Sequence, residues 1–137
     1  MIYTLDTNVF IDAARQPAEL YRLKAFLSWA LPSTVLSSVV AAELIAGTRS
    51  AKARDVLDQL FLAPFDRRGR VLAPSDATWR RAAQIRDDSS GGAFNDALLA
   101  CQARESGWTL VTRDQDFGAL RRSISGLRVA APFPVRP

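Results

Sequence analysis

The sequence contains no histidine at all. That absence excludes a Ser-His-Asp or Cys-His nucleophile, a histidine general base, and the zinc hydrolases that need imidazole ligands. Any catalysis here must rest on Asp, Glu, Ser, Thr, Tyr, Lys, Arg or a bound metal. Cysteine is represented once, by Cys101, so there is no internal disulfide and no cysteine-based zinc site. No apolar run reaches the roughly 18 residues that a membrane span requires. The opening Met1-Ile-Tyr-Thr-Leu-Asp6 lacks the basic start and apolar stretch of a secretory signal, and the expected location is the cytoplasm. Repeats, low-complexity segments and charged tails are also missing. Lysine is scarce: beyond Lys24 and Lys52, every one of the 18 basic residues is arginine. Arginine grips phosphate bidentately and stacks on bases, as a nucleic-acid partner would favour. A GC-rich genome produces the same skew, so the skew alone assigns nothing.

What is present is an ordinary globular composition: 137 residues, 48% hydrophobic, 23% charged, net charge +4. A chain of this size buries about two-thirds of its unfolded surface, enough for one core. Ile2-Tyr-Thr-Leu5 reads as a buried first strand ending at Asp6. Helical segments follow over Thr7–Ala14 and from Pro17 to Leu31, stopped by Pro32. Thr34–Ser37 is a second strand, Val39–Ala46 a helix closed by Gly47, and Ala51 to about Leu62 a helix with Pro64 as its stop. Val71–Ala73 is a brief third strand. Ser75 or Asp76 caps a helix running to about Arg86. Asp87–Gly92 reads as a flexible loop, Phe94–Glu105 as a helix, Trp108–Thr112 as a strand, Asp114 to about Arg122 as a short helix, and Leu127–Ala130 as the last strand. This alternation predicts an α/β fold with a short central parallel sheet covered on both faces, residues 1–131, followed by an extended Pro-rich tail, 132–137. In such sheets function gathers just past the carboxyl ends of the strands.

Four carboxylates fall in or near that place. Asp6 follows strand one directly, Asp114 follows the Trp108 strand after Arg113, Asp96 lies in the first turn of the preceding helix, and Glu43 sits inside the helix after strand two. Asp6 and Asp114 also suit helix capping, and Asp96 is an ordinary dipole partner. Glu43 is different. Its helical neighbours are Val39, Val40, Ala46 and Gly47, and no Lys or Arg lies one turn away. A carboxylate on so apolar a face costs several kcal/mol unless it is paired or metal-bound. Crowded carboxylates need a cation, and a histidine-free oxygen set suits Mg²⁺ or Mn²⁺. The chemistry this favours is phosphodiester hydrolysis by a metal-activated water.

Leu5-Asp-Thr-Asn-Val-Phe-Ile11, Ala42-Glu-Leu-Ile-Ala-Gly47, Asn95-Asp-Ala-Leu-Leu-Ala100 and Leu110-Val-Thr-Arg-Asp-Gln-Asp-Phe117 resemble, in order, the four motifs of PIN-domain ribonucleases. The likeness is greatest to the VapC toxins of bacterial toxin–antitoxin pairs. It implies a three-layer α/β/α PIN domain and an endoribonuclease dependent on Mg²⁺ or Mn²⁺. Asp6, Glu43, Asp96 and Asp114 align with the family's acidic quartet, with Asp6, Asp96 and Asp114 as metal ligands. Thr112 and Thr7 match its small hydroxyl positions. Some relatives use the acid just before Phe, which makes Asp116 a second contributor. The resemblance also implies an RNA substrate, a homodimer, and silencing by a cognate VapB-type antitoxin that reaches into the acidic site.

Cations for substrate phosphates are sought nearby: Arg113, Arg49, and the basic turn of Arg67, Arg68 and Arg70, which a solvated loop also explains. Trp29, Trp79 and Trp108 are able to stack bases; core or dimer packing is the competing role for Trp79 and Trp108. Cys101, in an apolar run, reads as core. A HAD-type phosphatase would need a second Asp two positions after Asp6, where Asn8 stands. An RNA-processing PIN nuclease outside a toxin–antitoxin pair, or a non-catalytic RNA- or partner-binding module, remains open to the same sequence.

Overall fold

The computed structural model describes the chain apart from residues 86–93, residues 114–116 and the side chains of 118 and 119. Five short strands, β1 (Ile2–Leu5), β2 (Thr34–Ser37), β3 (Val71–Leu72), β4 (Trp108–Val111) and β5 (Arg128–Ala130), form one sheet in the order β3-β2-β1-β4-β5. Every pairing is parallel; Thr4, for example, lies between Val35 and Leu110. The chain winds outward from β1 to β3, then returns past β1 to β4 and β5. Right-handed crossovers therefore place helices on opposite faces, giving the expected three-layer α/β/α arrangement. The reversal of direction falls between β1 and β4, and a crevice opens at such a switch point, beyond the strands' carboxyl ends.

The helices begin where the sequence supplies an oxygen to cap them. Asp6 caps α1 (Thr7–Arg15), Ser37 caps α3 (Ser38–Ala46) through Val39 N, and Ser50 caps α4 (Ala51–Leu57) through Ala53 N. Ser75, rather than Asp76, caps α6 (Asp76–Gln84). Pro17 opens α2 (Pro17–Ala30), where its missing N–H costs nothing. Gly107, at φ +73°, turns the chain from α7 (Phe94–Ser106) into β4, a conformation that β-carbons disfavour. Beyond β4 the short α8 (Phe117–Ser123) leads to β5.

One local expectation is corrected. Pro64 does not stop the fourth helix. The chain widens into a π-turn over Asp58–Leu62, in which Ala63 N–H bonds to Asp58 O, and continues as α5 (Ala63–Asp66). Pro64 then falls in the first turn of α5, where no N–H is needed. Gly47 closes α3 as expected, with an ordinary helical φ of −79°.

The core joins both layers to the sheet. Phe10 of α1 is fully buried and meets Phe61 and Phe65 edge-on, at ring-centroid distances of 5.4 and 6.4 Å. On α7, every residue from Ala97 to Ala103 is buried, Cys101 included. Burial raises the Cys101 thiol pKa, with Arg81 partly opposing, so this sulfur stays protonated and inert. Gln102 is the buried polar member of that run, 3% exposed: it accepts from Ser37 Oγ at 2.5 Å and donates to Leu72 O at 2.9 Å. That bridge ties α7 to β2 and β3. At the other end, Phe133 of the tail stacks on Phe26 of α2 at 5.3 Å, with Arg22 over its outer face.

Thr109 Oγ1, in β4, is buried with no hydrogen-bond partner among the described residues. Replacing it with valine keeps the shape and removes an unsatisfied group, so Thr109→Val is expected to stabilise the fold by about 1 kcal/mol. Urea unfolding measures it; an unchanged or lower midpoint contradicts the assignment.

Candidate active site

Asp6 leaves β1 with extended geometry, φ −73° and ψ 158°, and its backbone N–H remains tied to Val111 O of β4. It is therefore fixed at the switch point. Its side chain is 5% exposed. Oδ1 accepts from Thr7 N at 2.7 Å and Oδ2 accepts from Thr112 Oγ1 at 2.8 Å. A buried carboxylate is costly unless such donors meet it. Capping and a functional role thus coincide in this residue.

Thr7, the next residue, points elsewhere: its hydroxyl donates to Glu43 Oε1 at 3.1 Å. The partner that sequence spacing could not supply for Glu43 comes from α1, and it is a hydroxyl rather than a cation. Glu43 is half-buried, on a helix otherwise apolar inward. Asp96 is half-buried in the first turn of α7. Its neighbour Asn95 lines a groove together with Glu43, which sets the start of α7 beside α3. Asp114 and Asp116 lie outside the described residues. Among the described residues no three acids form a metal-holding group by themselves. The donor chemistry is nevertheless oxygen-only, as hard divalent cations prefer.

A residue not singled out from sequence completes the constellation. Asn8 Nδ2 donates to Thr112 Oγ1 at 3.3 Å, and Asn8 Oδ1 accepts from Arg113 N at 3.5 Å. One side chain in the first turn of α1 therefore clasps two residues of the fourth motif. Its position two residues after Asp6 was the available signal. Thr112 is then held from both sides, donating to Asp6 and accepting from Asn8. Removing Asn8's amide takes away one of the hydrogen bonds that orient Thr112 toward Asp6, and Asn8→Ala is expected to lower activity by about 10- to 100-fold, as loss of a group orienting a site carboxylate does. Steady-state cleavage assays check this, with thermal melts to show the fold intact.

The arginines sit differently from the sequence-based expectation. Arg113 turns its guanidinium to α1 and α2, pairing with Asp12 at 2.8 Å and with Glu19. Arg68 is bonded to Pro64 O and braces its own loop, while Arg70 is bonded to Leu31 O and Pro32 O and ties that loop to the turn between α2 and β2; Arg67 is exposed. Arg49 is the one from that group that lines the same groove as Glu43. This groove, about 690 Å³, runs between α1, α3 and α4, with an apolar floor that includes Phe10, Leu44, Leu57 and Phe61 and a rim of Arg15, Arg49 and Lys52.

Comparison with known proteins agrees with this geometry. The PIN domain family model matches residues 3–123. No curated protein matches the chain. Among solved structures, a chain of FitAB bound to an IR36 DNA fragment is 30% identical, with TM-score 0.67, covering 100% of this chain and 99% of that one. A chain of FitAcB from Neisseria gonorrhoeae is 28% identical, with TM-score 0.68 and coverage of 98% and 100%. A chain of DNA-bound VapBC from Salmonella typhimurium, at 22% identity, shares the fold with TM-score 0.71 and coverage of 96% and 98%. Among the described residues no helix is long and apolar enough to cross a membrane. The chain belongs to the PIN domain family, and the likeness to the FitAB and VapBC chains runs over nearly its whole length.

Proposed function

We propose that this protein is an endoribonuclease dependent on Mg²⁺ or Mn²⁺ and the toxin of a toxin–antitoxin pair, acting on cellular RNA to inhibit translation. The observation that carries the reading is the buried Asp6 carboxylate at the switch point of a PIN fold, held by Thr112 and the Thr7 amide. Asp6, Asp96 and Asp114, with Asp116 as a further contributor, would hold the cation. When bound, that cation polarises water and neutralises charge on the phosphate. The chain's own groups do the rest. Thr112 and Asn8 fix the orientation of Asp6. Thr7 pins Oε1 of Glu43, leaving Oε2 to take the proton of the attacking water, the part that histidine plays in other hydrolases.

The toxin reading is supported by the FitAB and VapBC relatives, which are complexes, and by the groove beside Glu43. Its apolar floor suits the apolar face of an antitoxin segment, its cationic rim acidic residues of that segment, and Glu43 a basic tip. A homodimer and a cytoplasmic location belong to the same reading.

The test is incubation of total cellular RNA with purified, antitoxin-free protein and either cation. Discrete fragments that disappear with EDTA are the expected result. Intact RNA in the presence of folded protein and both cations overturns the proposal.

A further inference from the structure

A second groove lies on the other side of Glu43. It has a volume of about 370 Å³ and is walled by Ser38, Ala42 and Glu43 of α3, Pro74 of the loop after β3, Trp79 of α6 and Asn95 of α7. Loop 73–75, Ser38 and Asn95 all belong to segments that leave or approach the carboxyl edge of the sheet, the edge that carries Asp6. The groove is therefore an extension of the acidic site.

Its chemistry is selective. Among the described residues no Lys or Arg lines it, and Glu43 forms part of its wall, so those residues make a poor place for a phosphate. Its wall is mostly apolar, and Trp79 is its aromatic member. Trp79 is 46% exposed and Phe94 39% exposed, and their rings pack at 5.8 Å with an interplanar angle of 35°. Large aromatic faces left open to water next to a polar cleft are unusual in a small domain with a complete core. The other two tryptophans are differently placed: Trp108 is buried and Trp29 packs edge-on against Tyr3 and Phe26. Asn95 lines the same groove as Trp79; its side-chain amide makes no hydrogen bond among the described residues, and it offers both donors and an acceptor.

We infer that this groove is a nucleobase subsite: a base flanking the scissile phosphate stacks on Trp79, backed by Phe94, while Asn95 reads its hydrogen-bonding edge. The inference rests on the ribonuclease reading and deepens it. Stacking on an aromatic face tolerates any base, because each has a π-face, and the amide adds a choice among edges. Phosphates on either side then stay clear of Glu43. The volume lies at the lower end of the range that small organic ligands occupy, about 300–1,000 Å³, as a single base requires.

The experiment measures binding of fluorescein-labelled, mixed-sequence single-stranded RNA to Asp6→Asn protein, which holds substrate without cutting it. Trp79→Ala in that background is expected to weaken binding by about tenfold, Trp79→Phe to restore most of it, and RNA to quench tryptophan fluorescence only where Trp79 is present. Trp79 is half-exposed, so the substitution leaves the core untouched; circular dichroism and thermal melts verify that. Equal affinity with and without Trp79 overturns the subsite alone. A Trp79→Ala protein that dissociates in sedimentation while keeping its RNA affinity assigns the groove to a second copy of the chain, and also overturns it. If neither protein binds RNA, the subsite and the ribonuclease reading fall together.

Discussion

Replacing Asp6 with asparagine is expected to cut RNA cleavage by about a thousandfold or more while the protein stays folded, since a lost electrostatic group at a reacting phosphate costs on that scale. The contrast follows from what each atom of Asp6 does. Oδ1 caps α1 through Thr7 N, and an asparagine oxygen performs that task nearly as well. Oδ2 accepts from Thr112, and an amide at that place donates instead. The Thr112 hydroxyl can turn to accept it, at the loss of one hydrogen bond, about 1 kcal/mol. The charge has no such substitute. Without it the remaining acids attract a cation less strongly, and phosphate meets less positive charge. Two readouts separate the effects. The melting temperature should fall by only a few degrees. Added Mn²⁺ should raise the melting temperature of the unsubstituted protein, since binding to the folded state stabilises it, and should leave Asp6→Asn almost unmoved. A variant that cuts RNA at the original rate removes Asp6 from the site.

The sequence was informative wherever a function depended on a residue's own neighbours. The parallel sheet and its two covering layers followed from alternating elements, and Asp6 and Glu43 stood out because one ended a strand and the other sat on an apolar helical face. Partners across the fold were another matter. Nothing in the spacing says that Thr7 reaches Glu43, or that Asn8 reaches Thr112, because these pairs are 36 and 104 residues apart. Arg113 shows the same limit from the other side. It stands within the fourth motif in sequence, next to Asp114, yet Asp12 and Glu19 from the first two helices satisfy its guanidinium. The arginine thus ties the fourth motif to α1 and α2, and the charge it brings is already spoken for by two carboxylates. Pro64 was misread because a proline ends a helix only where an N–H is required. The π-turn before it removes that requirement, and no local pattern announces a π-turn.

Phe10→Ala is expected to destabilise the fold by about 3–5 kcal/mol, the range for deleting a buried phenyl ring. Phe10 is fully buried, and the rings of Phe61 and Phe65 meet it from the π-turn and from α5. Those rings sit on the far side of the long β2–β3 connection, so neither can close the space without dragging α4 and the π-turn with it. The cavity therefore persists, and the cost falls at the high end of the range. A domain of this size holds about 5–15 kcal/mol in total, so the variant loses a large part of its stability. The consequence reaches the site because α1 carries Asp6 as its cap, Thr7 as the donor to Glu43 and Asn8 as the clasp on Thr112, all within one turn of Phe10. Phe10 also floors the groove proposed for the antitoxin segment. Urea denaturation of Phe10→Ala and Phe10→Leu tests the packing argument. Leucine refills most of the volume and should cost about 1.5 kcal/mol or less. If alanine costs no more than leucine, the aromatic cluster does not anchor α1, and the position of the acidic site depends on the sheet alone.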